Sequence, residues 1–432
     1  MTRFAQAKRT FISRATLGVA LTFGVVAGGS LAPEAALAQK KEKAPKLSFS
    51  KGFLAAAQPA QAAVNAVQEG DAASAAAAKS AVDQATAAVE NADDRLMAGQ
   101  LTYSLAVKSK DAAQQRAGLK LMLDSGKASA DQVPQLNAVA GQLALQANDH
   151  ASAQHYLQQA IDTGYSDSAV KVLLAESFMA SNQTGKGMQA FKTAITDAKA
   201  SGTPAPDSWY RRGLVSAYKA GMLNEAADFG AMLVTDYPDP KNVGVAVTIV
   251  RELGKYGAQD NLDLLRLMDR TNSYAESRDY IEYIEAADAR RHPGEVLKVI
   301  ESGIAAGKLK ASDSFVSDAR AQASGRLSAD KASLASYEAD ARKPNASEAT
   351  ISGAADALLS YGNAASAEAL YQNALGKAGV DQNRVLTRLG IAQADQGKYA
   401  DAQATFAKVQ GPRSAIAKLW AAYAASKAKS AT

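Results

Sequence analysis

Small and bulky residues return at fixed offsets through most of this chain, and that regularity narrows the fold more than any other feature. In the stretch LGIAQADQGKYADAQATFAKV, Leu389–Val409, Gly390 is followed twelve positions later by Ala402, four further on by Phe406 and three further by Val409. Two helices joined by a tight turn at Gly397 produce this spacing. The small residues sit where the helices cross and let the backbones approach, while the bulky one fills the adjoining groove. The same ruler picks out Gly141, Ala153, Leu157 and Ala160, with Asn148 in the turn. Thirty-four residues later it finds Ala175, Gly187, Phe191 and Ala194, with Asn182 in the turn. A further copy reads Ala355, Ala367, Tyr371 and Ala374 around Gly362.

Composition agrees with helices. Hydrophobic residues make up 47% and aromatics only 6%, and the excess is alanine, which suits helices with small-residue cores and not strands. Prolines 134, 204, 206, 238, 240, 293, 344 and 412 fall at boundaries or first turns of the inferred helices, where a missing donor costs least. Pro59 does not, and it predicts a first helix starting near Gln58.

In period and residue character the pattern resembles the tetratricopeptide repeat, a helix–turn–helix unit of about 34 residues. The resemblance is best over 134–199 and 347–409. The copy at 206–238 keeps Trp209, Tyr210, Gly213, Gly221, Ala226 and Pro238 but carries an extra residue. Segments 53–90, 96–124, 241–270, 274–305 and 312–342 keep the helix-pair pattern and lose much of the signature. The resemblance implies an all-α, superhelical α-solenoid of about ten such pairs with a C-terminal capping helix at 412–428, each pair touching only its neighbours.

The N-terminus carries the three parts of an export signal: bases Arg3, Lys8, Arg9 and Arg14, an apolar run from Ala15 to Ala32, and Ala36-Leu37-Ala38. These predict cleavage after Ala38 and a periplasmic protein of the bacterial exported type. Lys8–Ser13, KRTFIS, resembles the twin-arginine motif with Lys8 in place of the first arginine, leaving two export routes open. With no cysteine in the chain there is neither a lipobox nor a disulfide framework, so no stable membrane anchor is expected. The organisation read from sequence is a signal peptide (1–38), a flexible basic arm (39–52), degenerate helix pairs (53–130), tetratricopeptide-like repeats (131–240), degenerate pairs (241–345), and C-terminal repeats with a cap (346–432).

The net charge of +5 does not point to nucleic acid. Residues 1–51 hold nine bases and two acids, leaving 39 bases against 41 acids in the rest. Catalytic or metal-binding constellations are equally scarce. His150 and His155 are five apart, a spacing that puts them on different helix faces, and His292 reads as a polar loop residue. Asp93-Asp94, Asp236 with Asp239, and Glu282 with Glu285 have nothing convergent around them in sequence. Tyr280 and Tyr283 read either as a sugar-stacking patch or as packing between pairs.

The expectation is a protein that is not an enzyme and that uses no cofactor or metal. Its partner is a protein or peptide held in the concave groove by the first helices, the alternative being an envelope glycan in polysaccharide export or cell-wall binding. The resemblance places groove positions at Gln135, Ala138, Gln142 and Leu145, then Ala169, Val172, Glu176 and Met179. The family's Lys/Asn carboxylate clamp is absent from them. The partner-binding residues expected to matter most are Gln142, Leu145, Glu176, Met179, Arg211 and Tyr218, which mix amides and charges with apolar side chains.

Overall fold

The turn residues named by the offsets take the left-handed backbone that such turns need, with φ at +58° in Asn148, +60° in Asn182, +80° in Gly362 and +76° in Gly397. In each turn the next amide reaches back to an otherwise orphaned carbonyl, Asp149 to Ala144, Gln183 to Phe178, Asn363 to Leu358 and Lys398 to Gln393. The computed structural model describes residues 47–68 and 71–430. Among them it forms twenty α-helices, one short 3-10 turn and no strand, an all-helical α-solenoid. The signal peptide and most of the basic arm lie outside the described residues.

The helices fall into two compact units, up to Gln183 and from Thr184 onward. The division lies in the turn after Asn182, inside one of the cleanest copies of the offset pattern. The first unit holds α1 (Lys51–Ala66), α2 (Ala72–Ala87), α3 (Ala92–Lys108), α4 (Ala112–Asp124), α5 (Val133–Gln146), α6 (His150–Asp162) and α7 (Ala169–Ala180). In the second come α8 (Thr184–Ala200), α9 (Asp207–Lys219), α10 (Leu223–Asp236), α11 (Pro240–Gly254), α12 (Ala258–Thr271), α13 (Ser277–Ala287) and α14 (Pro293–Ala305). They are followed by α15 (Ser314–Ala341), α16 (Glu348–Ser360), α17 (Ala364–Ala374), α18 (Gln382–Asp395), α19 (Tyr399–Phe406) and α20 (Ser414–Ser430).

The helix crossings are as tight as the offsets require. A Cβ added to Gly141 would stand 2.5 Å from Leu157, and one added to Gly390 would stand 2.5 Å from Phe406. At Gly213 the same atom would lie 2.4 Å from Phe229, again sixteen positions on. In that copy the turn glycine, Gly221, stands eight positions after Gly213 where the other copies have seven, and the bulky partner keeps its place.

Three features differ from expectation. The first helix begins at Lys51 and runs through Pro59. Its start is fixed from outside, since the Asp94 carboxylate accepts from the Ser50 amide (3.0 Å) and hydroxyl (2.8 Å), while Asp93 accepts from the Ser48 amide (2.8 Å). Pro59 is exposed, so its missing donor faces solvent, and Phe53, Ala57, Ala60 and Val64 on the other face pack into the core. Residues 47–52, expected in the flexible arm, are thus an anchored helix entry.

Second, 312–342 is not a pair. It is the single 28-residue helix α15, because Gly325 stays in the helix and no residue inside supplies a left-handed turn. Only Val316, Ala323 and Ala341 of it are buried.

Third, α20 is more than a cap. It packs on α19 and also on α10, α11, α12 and α18. Trp420, fully buried, donates its indole N–H to the Asp263 carbonyl at 2.8 Å and stacks on Phe406 with centroids 6.3 Å apart. The second unit therefore closes on itself, and its pairs touch more than their neighbours.

Candidate functional site

In the first unit the expected groove positions lie on α5 and α7, which pack against each other. Gln142 stands thirty-four residues before Glu176, and Leu145 the same distance before Met179, so the four occupy equivalent places on successive first helices. All four are half-buried, as are Gln135 and Ala169. Leu145 packs in part on the core formed by Ala138, Leu157 and Val170, which leaves less of it for a ligand. Ala138 and Val172 are buried and cannot line a groove, because α5 and α7 turn those positions into the packing between pairs.

In the second unit Arg211 and Tyr218 lie on α9. The Arg211 guanidinium pairs with Asp207 one turn earlier at 2.9 Å. Tyr218 is exposed, and its hydroxyl donates to Glu252 of α11 at 2.6 Å, a bond that pushes the phenol pKa up. Glu252 stands thirty-four residues after Tyr218, and Val245 stands thirty-four after Arg211. Val215 and Val245 are exposed beside them. The result is one face across two helices, built on Arg211, Val215 and Tyr218 at helical spacing and on Val245 and Glu252, with a cross-link holding the ring in place. Val215 and Val245 escaped sequence reasoning, although their i+4 and 34-residue relations to Arg211 were the available signal.

His155 packs edge-on to Tyr156, and His150 has a buried Nδ1 without a partner. Among the described residues no group of three or more His, Cys, Asp or Glu is placed to hold a metal. Tyr280 and Tyr283 are buried and offer no sugar platform, which corrects one of the two readings of that helix and removes support for glycan stacking there. Glu282 pairs with Arg251 and Arg278, and Asp236 binds Lys199 and the Tyr210 hydroxyl.

His292 is buried and not a loop residue at the surface. It precedes α14 beside Arg266, Glu295, Asp356 and Arg388, and burial holds its imidazole below the ordinary value against the pull of Glu295. Around it runs a buried ionic network. Arg266 forks onto Glu295 at 2.8 and 2.9 Å, and Arg388 reaches Asp263 (3.2 Å) and Asp356 (2.6 Å). Arg413 also holds Asp263, at 2.9 Å. Burial works to raise the Glu295 and Asp356 carboxyls, but the arginines overcome it and hold both well below the usual carboxylate range. These acids are fixed as anions by cations that cannot release a proton, an arrangement suited to holding helices together and unsuited to proton transfer.

No family model matches the chain, and no curated protein matches it. Solved structures do. A Naa15/Naa10 complex bound to HypK-THB is similar over 83% of this chain and 55% of its own, at 14% identity and a TM-score of 0.40. The chain thus spans about half the length of that protein. The P58(IPK) TPR domain is similar over 79% of this chain and 99% of its own (10% identity, TM-score 0.22). For the APC/C hetero-tetramer Cut9-Hcn1 the shares are 80% and 63% (12% identity, TM-score 0.26).

Proposed function

We propose that the protein is a noncatalytic scaffold that binds a protein or peptide partner on the exposed faces of its first helices, and that it is exported to the periplasm with its signal removed after Ala38. The face of α9 and α11 carries this reading. Val215, Tyr218 and Val245 are large side chains left in solvent, and the Tyr218–Glu252 bond holds the tyrosine ring before any partner arrives. An aromatic anchor with a fixed ring loses little freedom on binding, and neighbouring Arg211 supplies a charged rim. Gln142, Leu145, Glu176 and Met179 offer a second, more polar face on the first unit.

Crosslinking of the mature protein in envelope extract, followed by mapping of the linked residues, tests the reading. Tyr218→Ala with Val245→Ser should abolish capture of the principal partner, and Glu176→Lys with Met179→Ala should weaken it, at unchanged helicity and melting temperature. Capture undiminished in both double variants overturns the reading. Export is tested separately by intact mass, which should show Gln39 or its cyclised form at the N-terminus.

A further inference from the structure

A cleft of about 380 Å³ opens in the second unit among the ends of α12 and α16 and the sides of α13, α14 and α15. Leu297 and Leu327, both half-buried, and buried Leu359 give it an apolar floor, with Tyr361 at one side. The Tyr361 ring is held firmly. Its hydroxyl donates to Asp330 at 2.7 Å, and its edge lies so close to Gly294 that a Cβ there would come within 2.5 Å.

Three cations, Arg270, Lys298 and Lys331, and two acids, Asp269 and Glu295, line the walls, with a further acid, Asp330, held at the Tyr361 hydroxyl. Asp269 already accepts from Arg270 (3.1 Å) and Lys298 (2.8 Å), and Glu295 is taken by Arg266 and the Tyr283 hydroxyl. Arg270 in turn forks onto Asp395. Lys331 is left over. Its ammonium sits 6.0 Å from the centre of the Tyr361 ring, and among the described residues no carboxylate pairs with it. Exposed Lys298, its side chain 65% accessible, shares the same mouth.

We propose that this cleft binds an acidic peptide segment of a partner protein. A glutamate or aspartate carboxylate sits on Lys331 with Lys298 beside it, and an adjoining apolar side chain sits on Leu297 and Leu327. Charge complementarity selects the acid, and the leucine floor selects its apolar neighbour. The choice of a polypeptide ligand rests on the scaffold reading, but the site is distinct from the α9–α11 face.

Fluorescence anisotropy with a short dye-labelled peptide alternating glutamate and leucine tests it on the mature protein. The parent should bind with an affinity that falls as salt is raised, and Lys331→Glu should weaken binding by about tenfold or more while Lys331→Arg retains it. Lys331 is exposed on α15, so the fold should survive, and circular dichroism checks that it does. Tyr218→Ala with Val245→Ser should leave peptide binding intact, which separates failure of this proposal from failure of the α9–α11 reading. No binding by the parent, equal binding by Lys331→Glu, or equal binding of a glutamine–leucine peptide overturns the proposal. So does displacement of the peptide by free octanoate at matching concentration, which would make the site one for small amphiphilic anions.

Discussion

In the first unit the described side-chain hydrogen bonds join residues at most 45 positions apart, whereas in the second they reach across 125 (Arg388 to Asp263), 157 (Trp420 to the Asp263 carbonyl) and 193 (Lys429 to Asp236). The first unit is a stack in the simple sense. Its helices hold each other through small-residue crossings such as Gly99 on Met122 and Gly141 on Leu157, and its buried acid Asp94 ties the entry of α1 at Ser50 to the Glu90 amide ahead of α3. The second unit spends buried charge on closure, with α12, α14, α16, α18 and the segment at Arg413 meeting in one network. Locally coupled stacks fray from their ends, while the C-terminal end of the second unit is tied back to α10, α11 and α12.

Removing the closing wedge should separate the two behaviours most clearly. Trp420→Ala takes a fully buried side chain out of the second unit and should cost about 3–5 kcal/mol. Hydrogen exchange should then rise in α10, α12 and α18 as well as α20, with α1–α7 unchanged. A loss confined to the last helix would show that α20 is only a cap.

Arg388→Ala removes the cation that Asp263 and Asp356 share, leaving Arg266 and Arg413 on the first and Arg384 on the second, and should destabilise the second unit by about 3 kcal/mol. Urea unfolding followed by the fluorescence of Trp209 and Trp420, both in the second unit, reads this. A midpoint within error of the parent's would mean that the network contributes nothing to closure.

Overpacking a crossing should cost less, about 1–3 kcal/mol, but spread differently in the two units. Gly141→Ala, which drives a methyl into Leu157, should raise exchange in α5 and α6 alone. Ala402→Leu, which forces α18 from α19, should be felt as far as α10 and α12 through α20. Equal spread in both would erase the distinction between stack and closed unit.

The smallest effect is in pH. The His292 imidazole is held below 6.5 by burial, so the unfolded chain takes up a proton there that the folded unit resists. Stability from this group is complete above about pH 6.5 and declines as the pH falls through it. Glu295 and Asp356, lowered by their arginines, and Asp94 in the first unit, lowered by backbone donors against burial, lose their contributions only in stronger acid, below 4.5 for the glutamate and 3.8 for the aspartates. Between pH 7 and 5 the second unit's melting temperature should therefore drop while the first unit's holds. His292→Gln should flatten the drop, and an unchanged slope in that variant would assign it elsewhere.

Much of the fold was legible because its signals are local. A left-handed turn at Asn148 or Gly397, and a glycine sixteen positions before a bulky ring, are relations within one helix pair and leave a mark in the order of residues. The face of α9 and α11 was half legible for the same reason, since Arg211 and Tyr218 follow helical spacing, while the exposure of Val215 and Val245 depended on which side each helix turned outward.

Three things had no local mark. Asp94 overrode Pro59 from another helix, Arg388 found Asp263 across 125 residues, and α20 packed on α10 as well as on the repeat beside it. By itself the sequence determined that helices form, where they turn and how closely each pair crosses, because those outcomes are set by side-chain size and backbone preference within a few turns. Only the tertiary structure decided that the second unit closes, which acids are buried with which arginines, and which cleft keeps an unmatched lysine. Those depend on distances between residues far apart in the chain, where burial strengthens a charge pair that composition alone would count as solvent-exposed and weak.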